Sequence, residues 1–401
     1  MNTLEENKSG KAIAVFCFLV VFVGLGFISA PRSLYVVPVT EALGIDRSVY
    51  SVMDSLRYVS TAVVNLFFGI LVARIGPRIL IGLGFLALTL SMLVFSLANG
   101  LLLLYLAGIL MGIGFAFTST SMVGYVIRRA YPKNSGSMTG AVLAANGLGG
   151  AVCTPLVSSM IHGALGYRGA SLVLAATVGA VGLISVLVLR GPAVGRGVAP
   201  VKSERAASAD GTGGGLRLLL LSAIIFFSGF CLQGICGVAA AHMSDVGIDE
   251  GIVASALSLQ LLFLTLSKFL TGFLSDRFGL RVSVLVSMLG AVSVSVILCC
   301  LVGGTLGGVL AFVYSILVAI ALPLETVMLP LYARAFFGEG QFASRLGVLV
   351  SVSTAGYALG APFLNLIYDL SGSYFIGFLV TGILMLFSLL TVQCIIPRKK
   401  K

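Results

Sequence analysis

The sequence contains one short stretch twice. Residues 66–78 read LFFGILVARIGPR, and residues 265–281 read TLSKFLTGFLSDRFGLR. Gly69, Arg74, Gly76 and Arg78 of the first match Gly272, Arg277, Gly279 and Arg281 of the second, each pair 203 residues apart. A second set recurs at a separation of 207: Gly140, Gly149 and Pro155 with Gly347, Gly356 and Pro362. Both separations are about half of the 401-residue chain, which describes two homologous halves. Whatever this chain folds into must be buildable twice.

Each copy of the stretch joins two long apolar segments, and a membrane-spanning helix needs about 20 mostly apolar residues. Twelve segments qualify: 12–41, 49–72, 79–98, 101–127, 137–162, 169–189, 218–242, 252–274, 282–302, 307–332, 346–368 and 374–396. The chain is 58% hydrophobic and 10% charged, with a mean hydropathy of +1.11, more apolar than a soluble core of this length requires. The apolar run after Lys11 is too long for a signal peptide, and the repeat needs it as a helix. The expected fold class is an all-α polytopic membrane protein, with twelve transmembrane helices in two pseudo-symmetric six-helix bundles. The expected domains are a first bundle over 1–190, a flexible linker over 191–216 rich in Gly, Ala, Ser and charge, and a second bundle over 217–401 ending in a short basic tail.

Charge then orients the helices. With both termini inside, twenty of the 25 Lys and Arg fall on the cytoplasmic side and two, Arg47 and Arg168, outside. The other three, Arg32, Arg57 and Lys268, lie within spans. Positive charge gathers on the cytoplasmic side of membrane proteins, so both termini are expected there. The net charge of +11 is then mostly this asymmetry; the bilayer is the expected partner and nucleic acid is not. The Gly/Arg stretches become tight cytoplasmic turns, in which Gly supplies positive φ and Arg stays in water.

Enzyme chemistry finds no support. The two histidines, His162 and His242, both fall near external ends, and there is no Ser/His/Asp set and no P-loop. His242 is either a satisfied interfacial histidine or a pH sensor. The seven cysteines sit in apolar spans without metal-ligand spacing, so no disulfide, metal or cofactor is expected.

The chemistry must come from charges inside the membrane. A charge at the bilayer centre costs about 2.5–3.5 kcal/mol on insertion scales and needs a partner or a wet cavity. Counting about 1.5 Å per residue from flanking charges places Arg32, Arg57, Lys268 and Glu325 about 12–15 Å deep. That is near the middle of a hydrocarbon core about 30 Å thick, where secondary transporters hold substrate. Three cations against Asp54 and Glu325 leave one positive charge, which favours a monoanion; a proton on Glu325 adds another and couples proton to anion.

Candidate substrate-binding residues are Lys268, Arg32 and Arg57, with Asn146, Gln233 and Tyr357 as donors. Glu325 and Asp54 are candidates for proton coupling. Gly69, Arg74, Arg78, Gly272, Asp276, Arg277 and Arg281 are candidates for gating. Each has a plainer role open to it. Arg57 can pair with Asp54 one turn earlier, Arg32 can bond helix-end carbonyls, and Glu325 can be a static partner of Lys268 or Arg32. The uncharged polar residues can pack between helices without touching substrate. Glu325 stands between Pro323 and Pro330, where a kink is expected.

The six-plus-six layout with a central linker resembles the major facilitator superfamily. GFLSDRFGLR is similar to that family's loop motif between helices 2 and 3, repeated between helices 8 and 9. SAPRSLYVVPVTEALGIDRS, RRAYPKNSGSMTGAVLAANGLGG and the stretch around Lys268 resemble the oxalate/formate antiporter and monocarboxylate porter branch. The resemblance implies a substrate-binding cation at Lys268. Two departures stand out. Ala73 replaces the Asp usual in the first loop while the second keeps Asp276, so any gate lock is lopsided. Leu264 stands where monocarboxylate porters often have an Asp one turn before this cation, so their proton site does not carry over intact.

The expected function is secondary transport of a small organic anion, a monocarboxylate, by alternating access with proton symport or anion exchange. The expected form is a monomer in the cell (plasma or inner) membrane. Two alternatives stay open. Drug efflux by the same fold favours an acidic, aromatic-lined cavity; a non-transporting receptor is disfavoured by the short linker and tails.

Overall fold

A computed structural model describes residues 13–118, 120–130, 135–188 and 212–396. The helices are α1 (Ile13–Leu43), α2 (Arg47–Ile75), α3 (Pro77–Ser96), α4 (Leu101–Thr118), α5 (Thr120–Ala130), α6 (Ser135–His162) and α7 (Gly166–Val188). They continue as α8 (Thr212–Asp245), α9 (Glu250–Phe278), α10 (Leu280–Cys299), α11 (Gly304–Ala321), α12 (Met328–Ser371) and α13 (Phe375–Ile395). No strand occurs among the described residues. Eleven spans among those residues are long and apolar enough to cross a membrane. The remaining expected span, α2, is 29 residues long, about 43 Å at the helical rise. Many large apolar side chains point outward; Leu102, Leu370 and Phe269 are each over 70% exposed. Such a surface is at home in lipid, where a helix satisfies its own backbone.

The chain divides into two compact units. One comprises Met1–Gly44 and Leu56–Ser203; the other comprises Ile45–Ser55 and Glu204–Lys401. The first turns of α2 thus group with the second unit and the rest of that helix with the first.

In the first unit α1 meets α6 through glycine. A Cβ on Gly26 would stand 2.7 Å from the Cα of Gly149, and one on Gly149 would stand 2.3 Å from the Phe22 carbonyl oxygen. The second unit builds the same seam between α8 and α12. There a Cβ on Gly356 would stand 2.4 Å from the Phe226 carbonyl oxygen, and one on Gly360 2.1 Å from that of Phe230. Small residues let membrane helices approach this closely. Aromatic pairs flank both seams: Phe18 stacks on Phe22 with centroids 6.1 Å apart, and Phe226 on Phe230 at 6.1 Å. Phe18, Phe22 and Gly26 share their four-residue spacing with Phe226, Phe230 and Gly234, each pair 208 apart. This is a third repeat register, carried by residues too ordinary in an apolar run to stand out.

The turns also match. Gly76 has φ 88°, ψ 148° and precedes α3; Gly279 has φ 87°, ψ 161° and precedes α10. Only glycine adopts such angles without strain. Gly69 and Gly272 are ordinary helical residues, so one glycine of each loop, not both, makes the turn.

Three expectations need correction. The first span is not a uniform helix, for α1 contains a π turn at Phe22–Phe27 and a 3₁₀ turn at Ala30–Tyr35. The span expected over 101–127 corresponds to a candidate membrane span over Leu101–Ile127. The kink expected at Glu325 is a break: α11 stops at Ala321, Leu322–Glu325 form a 3₁₀ turn, and Thr326 leaves helical geometry at φ −126°. Pro323 lacks an N–H and crowds the preceding turn, which favours ending a helix there. Helix α12 then runs for 44 residues, through the loop expected between the spans 307–332 and 346–368. Most of the expected linker 191–216 lies outside the described residues, and its end, from Thr212, is helical.

Candidate functional site

The 3₁₀ turn Leu322–Glu325 carries the acid of the second unit. Glu325 is 7% exposed. Its Oε2 accepts a hydrogen bond from Gln233 Nε2 of α8. Its backbone carbonyl accepts one from the Tyr357 hydroxyl of α12 at 3.4 Å. Its Oε1 is buried and has no hydrogen-bond partner among the described residues. Lys268 of α9 is half-buried, and its charge and that of Glu325 act on each other. No ion pair within 4.0 Å joins them among the described residues. Four residues singled out from sequence, on three helices and one turn, thus converge. Gln233 and Tyr357, expected to face substrate, direct these bonds at Glu325.

The first unit holds the other cations. Arg32 lies half-buried in the 3₁₀ turn of α1. Short non-α turns inside a long helix are frequent at functional sites. Arg57 of α2 is 6% exposed, and its guanidinium lies over the Tyr58 ring, 3.9 Å from the centroid, and 5.5 Å from that of Phe115. Cation–π contact of this kind offsets part of the cost of a buried charge. Helix α4 presses close here: a Cβ on Gly112 would stand 2.3 Å from the Arg57 carbonyl oxygen. The Thr61 hydroxyl lies within bonding distance of both carbonyls, 2.8 Å from Arg57 and 2.9 Å from Gly112. Asn146 of α6 is half-buried. Asp54, one turn before Arg57, is 8% exposed and groups with the second unit.

Of the gating candidates, Arg74, Asp276, Arg277 and Arg281 are exposed and Arg78 is half-buried. A Cβ on Gly272 would meet nothing within 4 Å. Arg281 has a structural partner: its Nε and Nη2 donate to Oε1 and the backbone oxygen of Gln393, each at 3.0 Å, and Gln393 Nε2 donates back to the Arg281 carbonyl at 3.1 Å. This ties α10 to the end of α13.

A further cluster in the second unit went unnoticed in the sequence. Arg47 forms a bidentate pair with Asp245, at 2.5 and 2.7 Å. Its guanidinium lies 4.1 Å from the Tyr368 ring centroid and donates to the Tyr374 hydroxyl at 3.2 Å. The Asp369 carboxylate accepts from the backbone N–H groups of Arg47 and Ser48, at 3.2 and 2.8 Å. A carboxylate there satisfies orphan donors and complements the helix dipole. Nearby His242 is buried, with Nε2 3.0 Å from the Leu298 carbonyl oxygen and its ring edge-on to Phe378. That is the satisfied histidine of the two alternatives. Among the described residues no His, Cys, Asp and Glu gather as a metal site.

The family model described as the Major Facilitator Superfamily matches residues 14–239 and 218–401. A comparison with curated protein sequences returns no match. Among solved structures, the nucleoside transporter NupG superposes with a TM-score of 0.76 at 12% identity, covering 98% of this chain and 99% of that one. A POT family transporter in complex with 5-aminolevulinic acid gives 0.76 at 14%, covering 97% and 96%. A bacterial homologue of the human lysosomal transporter Spinster gives 0.71 at 16%, covering 96% and 95%. At such identities the likeness is one of fold. With matched glycine seams and turns in its two halves and family matches along nearly its whole length, the chain belongs to the Major Facilitator Superfamily and is a secondary transporter of that type, not an enzyme.

Proposed function

We propose that the protein carries a small organic anion, a monocarboxylate, by alternating access, with proton symport or anion exchange as the energy source. The observation that carries this reading is the cluster of Lys268, Glu325, Gln233 and Tyr357 in the second unit. Lys268 supplies the cation for the substrate carboxylate. With Glu325 ionised, the two charges cancel locally; with Glu325 protonated, Lys268 is left uncompensated and attracts an anion. Proton and anion then favour one another's binding. Gln233 and Tyr357 hold the acid in place. Arg32, Arg57 and Asn146 are further candidate substrate ligands, and Asp54 is the second acid available for coupling. The branch resemblance around Lys268 supports a carboxylate over other anions.

The Gly/Arg loops, with Arg74, Arg78, Asp276, Arg277 and Arg281, serve as gate elements on the cytoplasmic side. The basic residues support this orientation, with both termini in the cytoplasm; the protein acts as a monomer in the cell membrane. Uptake of labelled monocarboxylates into proteoliposomes tests the reading. Lys268→Gln is expected to abolish uptake while the protein stays folded by circular dichroism and size exclusion. Full transport by that variant overturns it.

A further inference from the structure

Glu325 is held in an unfinished state. Gln233 occupies Oε2, while Oε1 is buried without a partner among the described residues. Lys268 is near enough for its charge to act, yet no ion pair closes between the two. A buried carboxylate oxygen without a donor is costly. The groups facing Glu325 are Gln233 from α8, Lys268 from α9 and Tyr357 from α12. Helices α10 and α11 also pack against its turn. Among the described residues the one charge acting on Glu325 is that of Lys268.

A plain monocarboxylate does not complete this arrangement. It satisfies Lys268 but brings a second negative charge toward Glu325 and offers no donor near its charged end, so it enters with a proton on Glu325. A ligand with both a carboxylate and an ammonium completes it directly. Its carboxylate meets Lys268, its ammonium donates to Oε1, and a ligand of no net charge enters a pair of no net charge. We infer that the Lys268–Glu325 pair is a zwitterion site that takes amino carboxylates without the proton that simple monocarboxylates require. This rests on the proposed role of Lys268 as the carboxylate ligand.

The test is thermal stabilisation of the purified protein by propanoate, alanine, 3-aminopropanoate and propylamine, at mildly acidic and mildly alkaline pH. Bound ligand stabilises the folded state in proportion to its affinity. At alkaline pH at least one of the two amino carboxylates is expected to bind about tenfold or more tighter than propanoate, the scale of one charge-assisted hydrogen bond. Propanoate is expected to gain on acidification and the amino carboxylates to change little. In Glu325→Ala the ratio between the two classes should fall toward one; if that variant does not fold, Glu325→Gln keeps the shape without the charge and should do the same. The inference is overturned if propanoate at alkaline pH matches both amino carboxylates, if their advantage survives loss of the Glu325 charge, or if propylamine does as well as they do. Propanoate binding at acidic pH with no amino carboxylate advantage sinks only this inference; failure of every carboxylate to bind sinks the monocarboxylate reading with it.

Discussion

Gly149 in the first half and Gly356 in the second do the same work: each lets a neighbouring helix bring a backbone carbonyl to where a side chain would stand. Arg57 and Lys268 also look alike in sequence, each a cation inside an apolar span, yet their surroundings differ. Arg57 lies against the rings of Tyr58 and Phe115, whereas Lys268 faces an acid that Gln233 holds. The seams are alike because backbone meets backbone, and no substitution there is small. The charged sites diverge because a single side chain changes the chemistry without moving a helix.

The comparison breaks first at the seams if it is wrong. Gly149→Leu and Gly356→Leu should each destabilise by about 3 kcal/mol or more, the upper range for overpacking, since the opposing atoms are backbone and cannot turn aside. Unfolding in detergent should show losses of similar size; a tolerated substitution in one half would end the equivalence. The cations come next. Lys268→Gln is expected to weaken carboxylate binding about 100-fold, which is about 2.8 kcal/mol. Arg57→Lys keeps its charge but loses much of the contact with Tyr58, for about 0.5–2 kcal/mol of stability, with substrate affinity within about threefold, roughly 0.6 kcal/mol. Isothermal titration on both variants separates the two environments, and equal losses of affinity would erase the distinction.

Smaller effects sharpen the picture. Asp245→Asn, which weakens the bidentate pair with Arg47, should cost about 1 kcal/mol in thermal unfolding at low salt, and less at high salt. Loss of much more would make the pair a keystone of the second unit. Gly272→Ala has open space for its methyl group and lies inside α9. It should be neutral or stabilising by up to about 1 kcal/mol. A fall in transport alongside unchanged stability would assign Gly272 to gating rather than to the fold.

The charged residues show where sequence stops. Lys268, Glu325, Gln233 and Tyr357 each stood out as polar groups in apolar spans, because lipid makes such residues costly. That Gln233 bonds Glu325, 92 positions away, left no mark in the sequence. Arg47 registered only as one of two external cations, and its partner Asp369 lies 322 positions on. The break at Glu325 was half legible: Pro323 signalled a disturbance, but whether a helix kinks or ends depends on what packs against it.

What the sequence determined by itself was the local and the periodic. About twenty apolar residues in a row must be helical in lipid, since no water is there to satisfy the backbone. A glycine at the matched place in both loops marks the same turn, since Gly76 and Gly279 alone can hold it cheaply. Tertiary structure decided the rest: which glycines form seams, where α11 ends, and which acid, amide and cation share a site. Those outcomes depend on distances between residues far apart in the chain, and hydrophobic periodicity constrains the face a residue lies on, not the partner it meets there.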